Sequence, residues 1–206
     1  MNTYNEHLNS EEYTFDEWVD FVFAHLSNQE FQDKWFEEEG LLIRVGNRFA
    51  ENCIELFKKP KILLEKYNGE QIEQGFEFIL SPGVLITSWL WDKNNNPQIR
   101  REFISSMENV FNEIFVVNKF ENLCFMWWDY LRGFDDDKDL QVMEWMFETL
   151  SGILKIDSID CQMSALHGLG HIEHRGKKNL IEVFLRKNSN FTDKDYALAA
   201  IEGKVL

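Results

Sequence analysis

Helix-capping signals recur along the chain, and they constrain its fold more than any other feature of the sequence. Thr14 followed three residues later by Glu17 has the pattern of a capping box. Asn68-Gly69 is a turn signal, and Asn96 precedes a proline that suits the first position of a helix. Apolar residues spaced by three and four follow these signals. The sequence therefore predicts an all-α fold, a multi-helix array of antiparallel helix pairs.

The helical pattern has one ambiguous segment and no evident interruption by a linker. Residues 84–91 are rich in β-branched and aromatic side chains that suit a strand, yet the helices predicted on both sides favour a short buried helix. No stretch rich in Gly, Ser or Pro separates two domains. We therefore predict an acidic N-terminal tail over residues 1–13 and a single helical domain over residues 14–206.

Composition places the chain among proteins with a substantial core. The 206 residues include 30 aromatic side chains, 18 of them Phe, which supply enough apolar area to exclude a disordered chain. Three widely spaced cysteines lie in apolar stretches, as is typical of reduced core cysteines. The sequence lacks a signal-peptide pattern and a run of eighteen apolar residues. We therefore expect a cytoplasmic protein that does not enter a membrane.

The charge is strongly acidic and unevenly distributed. A formal net charge of −15 repels a phosphate backbone, so we expect no nucleic-acid partner and a preference for a basic protein. Residues 1–40 contain eleven acidic side chains against Lys34 alone, whereas residues 175–187 contain five basic side chains against Glu182. The charge pattern thus predicts electrostatic capture of a cationic protein, followed by burial of exposed aromatic side chains.

The candidate contact residues are acidic clusters and one tryptophan. Adjacent tryptophans on a helix point about 100° apart, so at least one of Trp127 and Trp128 is expected to leave the main core stripe. Core or second-layer packing is the default role, and anchoring of a partner is the alternative. The Asp135–Asp139 loop also resembles the DDxxD motif by which helical terpenoid synthases hold magnesium, although a solvated capping loop is the expected role. The predicted partner-binding residues are Asp16, Asp20, Glu37, Glu38, Glu39, Asp135, Asp136, Asp137 and Trp128.

Three of the five histidines, His167, His171 and His174, fall within about 60° of one another on one predicted helix. A straight helix can bring two of them to one ion but hardly all three, and Gly168 stands where an HExxH motif has its catalytic glutamate. The expected role is packing between helices, with no metal and no cofactor; a polar stripe facing a ligand is a second interpretation. The third is a metal-dependent hydrolase or transferase that uses His167 and His171, with a carboxylate from another helix.

The segment from Asp160 to His171 looks like the helix-pair segments of HEAT-like proteins. Together with residues 67–80, notably Glu70–Phe76, it resembles uncharacterised bacterial helical proteins, some of which are immunity-type partners in contact-dependent or polymorphic toxin systems. The resemblance implies an irregular HEAT-like α-solenoid with a protein-binding role and carries over no catalytic residue. The overall prediction is a non-enzymatic, immunity-type binding module, with the metal-dependent enzyme as its alternative.

Overall fold

The described part of the chain is built from helices. The computed structural model describes residues 13–25, 36, 43–118, 120–133 and 139–205. Over these ranges there is no β-strand, and the many helix–helix contacts confirm the prediction of an all-α helical array. In chain order the helices are α1 (Phe15–Phe23), α2 (Asn47–Lys58), α3 (Ile62–Lys66), α4 (Gly69–Leu80), α5 (Ile86–Trp91), α6 (Pro97–Val110, continued by a π-helical turn over Phe111–Phe115), α7 (Glu121–Tyr130), α8 (Leu140–Ile153), α9 (Ile159–His171), α10 (Lys177–Lys187) and α11 (Lys194–Ile201).

The capping signals mark helix starts as predicted. Thr14 and Glu17 form the reciprocal bonds of a capping box at α1. Asn68 caps α4: the Gln71 amide donates to Asn68 Oδ1, and the Asn68 amide donates to Gln71 Oε1. Asn96 caps α6, and Pro97 occupies its first position. These starts follow from a few consecutive residues, which is why they are visible in the sequence.

The ambiguous segment over residues 84–91 is resolved as a short helix. Helix α5 begins at Ile86, and an isolated parallel bridge joins Val84 to Ile43 just before it. The Leu85 amide donates to the Ile43 carbonyl at 2.9 Å, and the Ile43 amide donates to Gly83 at 2.7 Å. The β-like character of the segment is thus confined to its first residues, within the described part of the chain.

The helices surround a core rich in aromatic side chains. The Trp127 indole of α7 lies at its centre, with four phenylalanine rings at centroid distances of 5.4 to 6.1 Å in T-shaped arrangements. Such arrangements are favoured by the ring quadrupoles. The cluster of buried apolar side chains extends from Trp18 to Val205. The predictions of a tail over residues 1–13 and a single domain over residues 14–206 stay predictions.

The prediction of Trp128 as a partner contact was wrong, whereas core or second-layer packing, the default expected for the tryptophans, is confirmed. The Trp128 side chain is 3% exposed, and its ring stacks on Phe111 with centroids 6.1 Å apart. Helix α7 packs against α9, and phenylalanine rings of the π-helical turn contact both adjacent tryptophans, so both are buried. Trp128 is therefore not available as a partner contact, because more than one face of α7 packs against the rest of the protein.

Helices α7 and α9 approach closely and run in the same direction. The Ser164 hydroxyl of α9 donates to the Cys124 carbonyl of α7 at 2.5 Å. Further along both helices, a Cβ atom on Gly168 would lie 2.7 Å from Cγ of Trp128 and 2.8 Å from Cδ2 of Leu150. Gly168 therefore permits the close approach of the two helices, and both helices end at the same side of the molecule.

Candidate metal centre

Three potential metal ligands from two helices converge beside the ends of α7 and α9. Asp129 is the penultimate residue of α7, and His167 and His171 are one turn apart on α9. Asp129 Oδ2 lies 2.8 Å from His167 Nε2, and Asp129 Oδ1 lies 2.7 Å from His171 Nε2. The two Nε2 atoms are 3.1 Å apart. The group can thus offer two imidazole nitrogens and one carboxylate to a single ion.

Hydrogen bonds alone cannot satisfy all three contacts at once. A carboxylate only accepts, and each imidazole nitrogen either donates or accepts. If both Nε2–H groups donate to Asp129, each points at its own carboxylate oxygen, and the two nitrogens lie side by side 3.1 Å apart without a hydrogen bond between them. If one of them instead accepts from the other, its lone pair faces a carboxylate oxygen at 2.7 or 2.8 Å. A cation bound by all three groups removes this conflict.

The other ring nitrogen of His167 has a partner of its own. His167 Nδ1 lies 2.5 Å from the hydroxyl of Tyr196 on α11. The His167 side chain is 1% exposed, and the Phe125 ring packs against it with centroids 4.3 Å apart. Burial, followed by the charge of Asp129, raises the pKa of Tyr196 to about 12, so its hydroxyl stays protonated near neutral pH. The orientation of His167 is therefore fixed from two sides.

The electrostatics of the centre combine burial with several charges. Burial lowers the pKa of His171, the Asp129 carboxylate opposes this, and His167, Arg132 and Lys177 add to the lowering. Helix C-termini carry partial negative charge, and α7 and α9 both end beside the centre. The lowered His171 pKa favours the neutral imidazole that a metal requires, and the helix ends favour a cation.

His174 lies apart from this group. Helix α9 ends at His171, and His174 Nε2 pairs with Glu144 of α8 at 3.0 Å. The His174 ring stacks on Phe147 with centroids 3.7 Å apart, and its Nδ1 accepts from the Gly176 amide. Two of the three predicted histidines thus meet, as expected for one helix, and the third packs between α8 and the start of α10.

No protein-family model, curated protein or solved structure matches this chain. The resemblance to HEAT-like and immunity-type proteins therefore stays a prediction.

The predicted partner-binding residues are not brought together in the described part of the chain. Asp16 is exposed on α1, and Asp20 on the same helix bonds to Lys66 and Tyr67. The hydrogen bond from Lys66, and to a smaller extent the one from Tyr67, holds the pKa of Asp20 below its ordinary value. Trp128 is buried. The remaining predicted contacts, residues 37–39 and 135–137, lie outside the described residues.

Sequence reasoning named His167 and His171 but missed Asp129 and Tyr196. Asp129 follows four apolar residues, Phe125–Trp128, and a lone carboxylate in such a run is a signal that it has a buried partner. Tyr196 lies 29 residues beyond His167, and no local pattern connects them. The tertiary approach of α7, α9 and α11 is what assembles the group.

Proposed function

We propose that this protein holds one divalent transition-metal ion on Asp129, His167 and His171, and that the ion supports hydrolytic or group-transfer chemistry. The observation that carries the proposal is the mutual approach of the three ligand groups, at 2.7, 2.8 and 3.1 Å. Around a tetrahedral ion with bonds of about 2.1 Å, ligand atoms are about 3.4 Å apart. The three pairs of atoms are closer than this, so a shared ion requires these side chains to move apart by a few tenths of an ångström.

The ligand types favour zinc or a similar borderline metal. Two imidazoles and one carboxylate are a set used in catalytic zinc sites and, in facial form, in non-haem iron sites. Ligands of this kind bind hard ions such as calcium poorly, because those ions prefer six or more oxygen atoms. Three protein ligands also leave a coordination position for water, whose pKa zinc lowers to about 7 in the sites where it is catalytic. A metal-dependent hydrolase or transferase, the alternative function proposed from the sequence, is thus the function that the geometry supports best.

The test measures zinc affinity by competition with a chromophoric chelator. Wild-type protein is expected to bind one zinc ion per chain. His171→Ala removes one ligand and should weaken binding by roughly 100-fold or more, since even outer partners of metal ligands contribute roughly 10- to 100-fold. Asp129→Asn retains the side-chain size and removes the charge, so it should cause a comparable loss.

His174→Ala is the matched control. It removes a histidine three residues from His171 that is bonded to Glu144 rather than to the group. Its zinc affinity should stay within about threefold of wild type, and circular dichroism should establish that each variant is folded. Absence of stoichiometric zinc binding in wild type would overturn the proposal, as would equal losses in the His171 and His174 variants.

Tyr196→Phe is expected to weaken zinc binding without abolishing it. When His167 Nε2 binds a metal, its Nδ1 carries a proton that can be donated to the Tyr196 oxygen 2.5 Å away. Phenylalanine keeps the ring beside Phe125 but removes the acceptor, so an affinity loss of roughly 10-fold is expected. The same competition assay measures it, and unchanged affinity would mean that Tyr196 does not orient His167.

The protein-binding hypothesis differs in what it requires of the molecule. It needs an exposed acidic face, whereas the proposed metal centre is assembled from partly and fully buried side chains. In the described residues, Asp20 is engaged by Lys66 and Tyr67, and Trp128 is buried. No specific observation in that part of the chain favours capture of a basic protein, which remains a prediction from charge alone.

A further inference from the structure

The proposed metal centre is open to solvent on one side. The His167 side chain is 1% exposed, whereas His171 is 14% exposed and Asp129 is 23% exposed. The opening therefore lies on the side of Asp129 and His171, opposite the packing of Phe125 and Tyr196 against His167. An additional ligand on the ion would enter from this side.

Two basic residues lie close enough to the centre for their charges to act on His171. Lys177 donates to the Ile172 carbonyl at 3.0 Å, immediately after His171, and reaches the Gly170 carbonyl at 3.5 Å. Arg132 follows α7 three residues after Asp129, and its backbone amide donates to the Asp129 carbonyl at 3.2 Å. Arg132 is exposed, and the charges of both residues act on the His171 imidazole.

With the proposed ion bound, the charge at the centre would be opposite in sign to that of the whole protein. A divalent ion brings two positive charges and Asp129 offsets one of them, while Arg132 and Lys177 add two more. Glu173 attracts Lys177 and compensates part of this excess. Lys177 also belongs to the stretch over residues 175–187, which holds five basic side chains in a chain of net charge −15. An anion at the open position would neutralise the excess.

We infer that the ligand completing the centre is an oxyanion, a phosphate or carboxylate group that binds the ion and is attracted by Arg132 and Lys177. This inference rests on the proposed metal site and adds the chemical class of its ligand. Basic side chains beside a metal are a recurrent means of binding phosphate and carboxylate groups, because charge-assisted hydrogen bonds supplement the bond to the ion.

The test uses protein loaded with Co²⁺, whose visible absorption reports changes in its ligands. Inorganic phosphate and acetate are titrated separately, and the dissociation constant of each is read from the spectral change. Arg132→Gln and Lys177→Gln should each weaken phosphate binding by about tenfold. Lys178→Gln removes the same charge from the next residue, which is 72% exposed and lies near Glu182, and should leave phosphate binding unchanged.

The outcomes separate this inference from the metal site itself. Phosphate binding tighter than acetate binding supports a phosphate-bearing ligand, and the reverse order supports a carboxylate. Either conclusion also requires that Arg132→Gln and Lys177→Gln weaken anion binding. If Co²⁺ binds stoichiometrically but neither anion changes the spectrum, the inference is overturned and the metal site stands. Equal phosphate affinity in all three variants overturns it as well. If Co²⁺ itself does not bind, the proposed function fails and the inference fails with it.

Discussion

Arg100→Met is expected to lower the free energy of unfolding by about 3–5 kcal/mol, as is typical when one partner of a buried ion pair is removed. The Arg100 side chain of α6 is 2% exposed and donates to Asp139 at 2.9 Å and to the Leu90 carbonyl at 3.1 Å. Its guanidinium also lies over the Trp145 ring. Methionine keeps much of the packing but leaves the Asp139 carboxylate without its counter-charge.

The neighbouring arginine supplies the control for this measurement. Arg101 pairs with Glu148 at 3.2 Å, but both side chains are more than half exposed. Arg101→Met should therefore change the free energy of unfolding by less than about 0.5 kcal/mol in urea denaturation. The double variant Arg100→Met/Asp139→Asn should regain part of the loss, because it removes the unpaired charge. Equal effects of the Arg100 and Arg101 substitutions would contradict a structural role for the buried pair.

The effect of Arg100→Met should depend on pH. Burial alone would raise the pKa of Asp139, but the bonds from Arg100 and the Gln141 amide outweigh it and hold the pKa below its ordinary value. The pair therefore stabilises the wild-type protein above about pH 4, and that contribution is lost as the pH falls through the lowered pKa. Without Arg100, protonation of Asp139 relieves the buried charge. The stability difference between the two proteins should consequently shrink from pH 7 toward pH 4.

Gly168→Val is expected to destabilise the fold by about 3 kcal/mol, the upper end of the usual range for overpacking, and to weaken zinc binding by at least roughly 10-fold. The new Cβ would lie within 2.8 Å of Trp128 and Leu150, both buried in the core. The residues must separate to accommodate it, and separation of α7 from α9 moves Asp129 away from His167 and His171.

Gly69→Val is the matched control for the glycine substitution. Gly69 begins α4 and is exposed, and the nearest atom to its added Cβ is a Phe120 ring carbon at 3.6 Å, an ordinary contact. Its free energy of unfolding should change by less than about 1 kcal/mol, with zinc affinity unchanged. A folded Gly168→Val protein that binds zinc as tightly as wild type would show that the centre does not depend on this approach.

The sequence predicts what depends on neighbouring residues and misses what depends on tertiary packing. The capping box at Thr14 was predicted because it forms within one helical turn, whereas Asn68 was predicted only as part of a turn and forms a capping box as well. The relation of His167 to His171 follows from helical periodicity in the same way. The buried state of Trp128 did not follow, because α7 is covered on more than one face.

The most informative contacts join residues that are far apart in the chain. His167 and Asp129 are separated by 38 residues, and Arg100 and Asp139 by 39. No local pattern pairs them, since each contact requires two helices to pack in a particular register. A carboxylate from another helix could be expected as a third ligand, but its identification as Asp129 needed the position of α7 beside α9.

The most direct test of the metal centre is a crystal structure of the protein grown with zinc, measured at the zinc absorption edge. We expect one strong anomalous peak about 2.0–2.2 Å from an Asp129 carboxylate oxygen and from Nε2 of both His167 and His171. Zinc bound only at other residues, or a structure in which the His171 ring points away from Asp129 in the presence of zinc, would contradict the account.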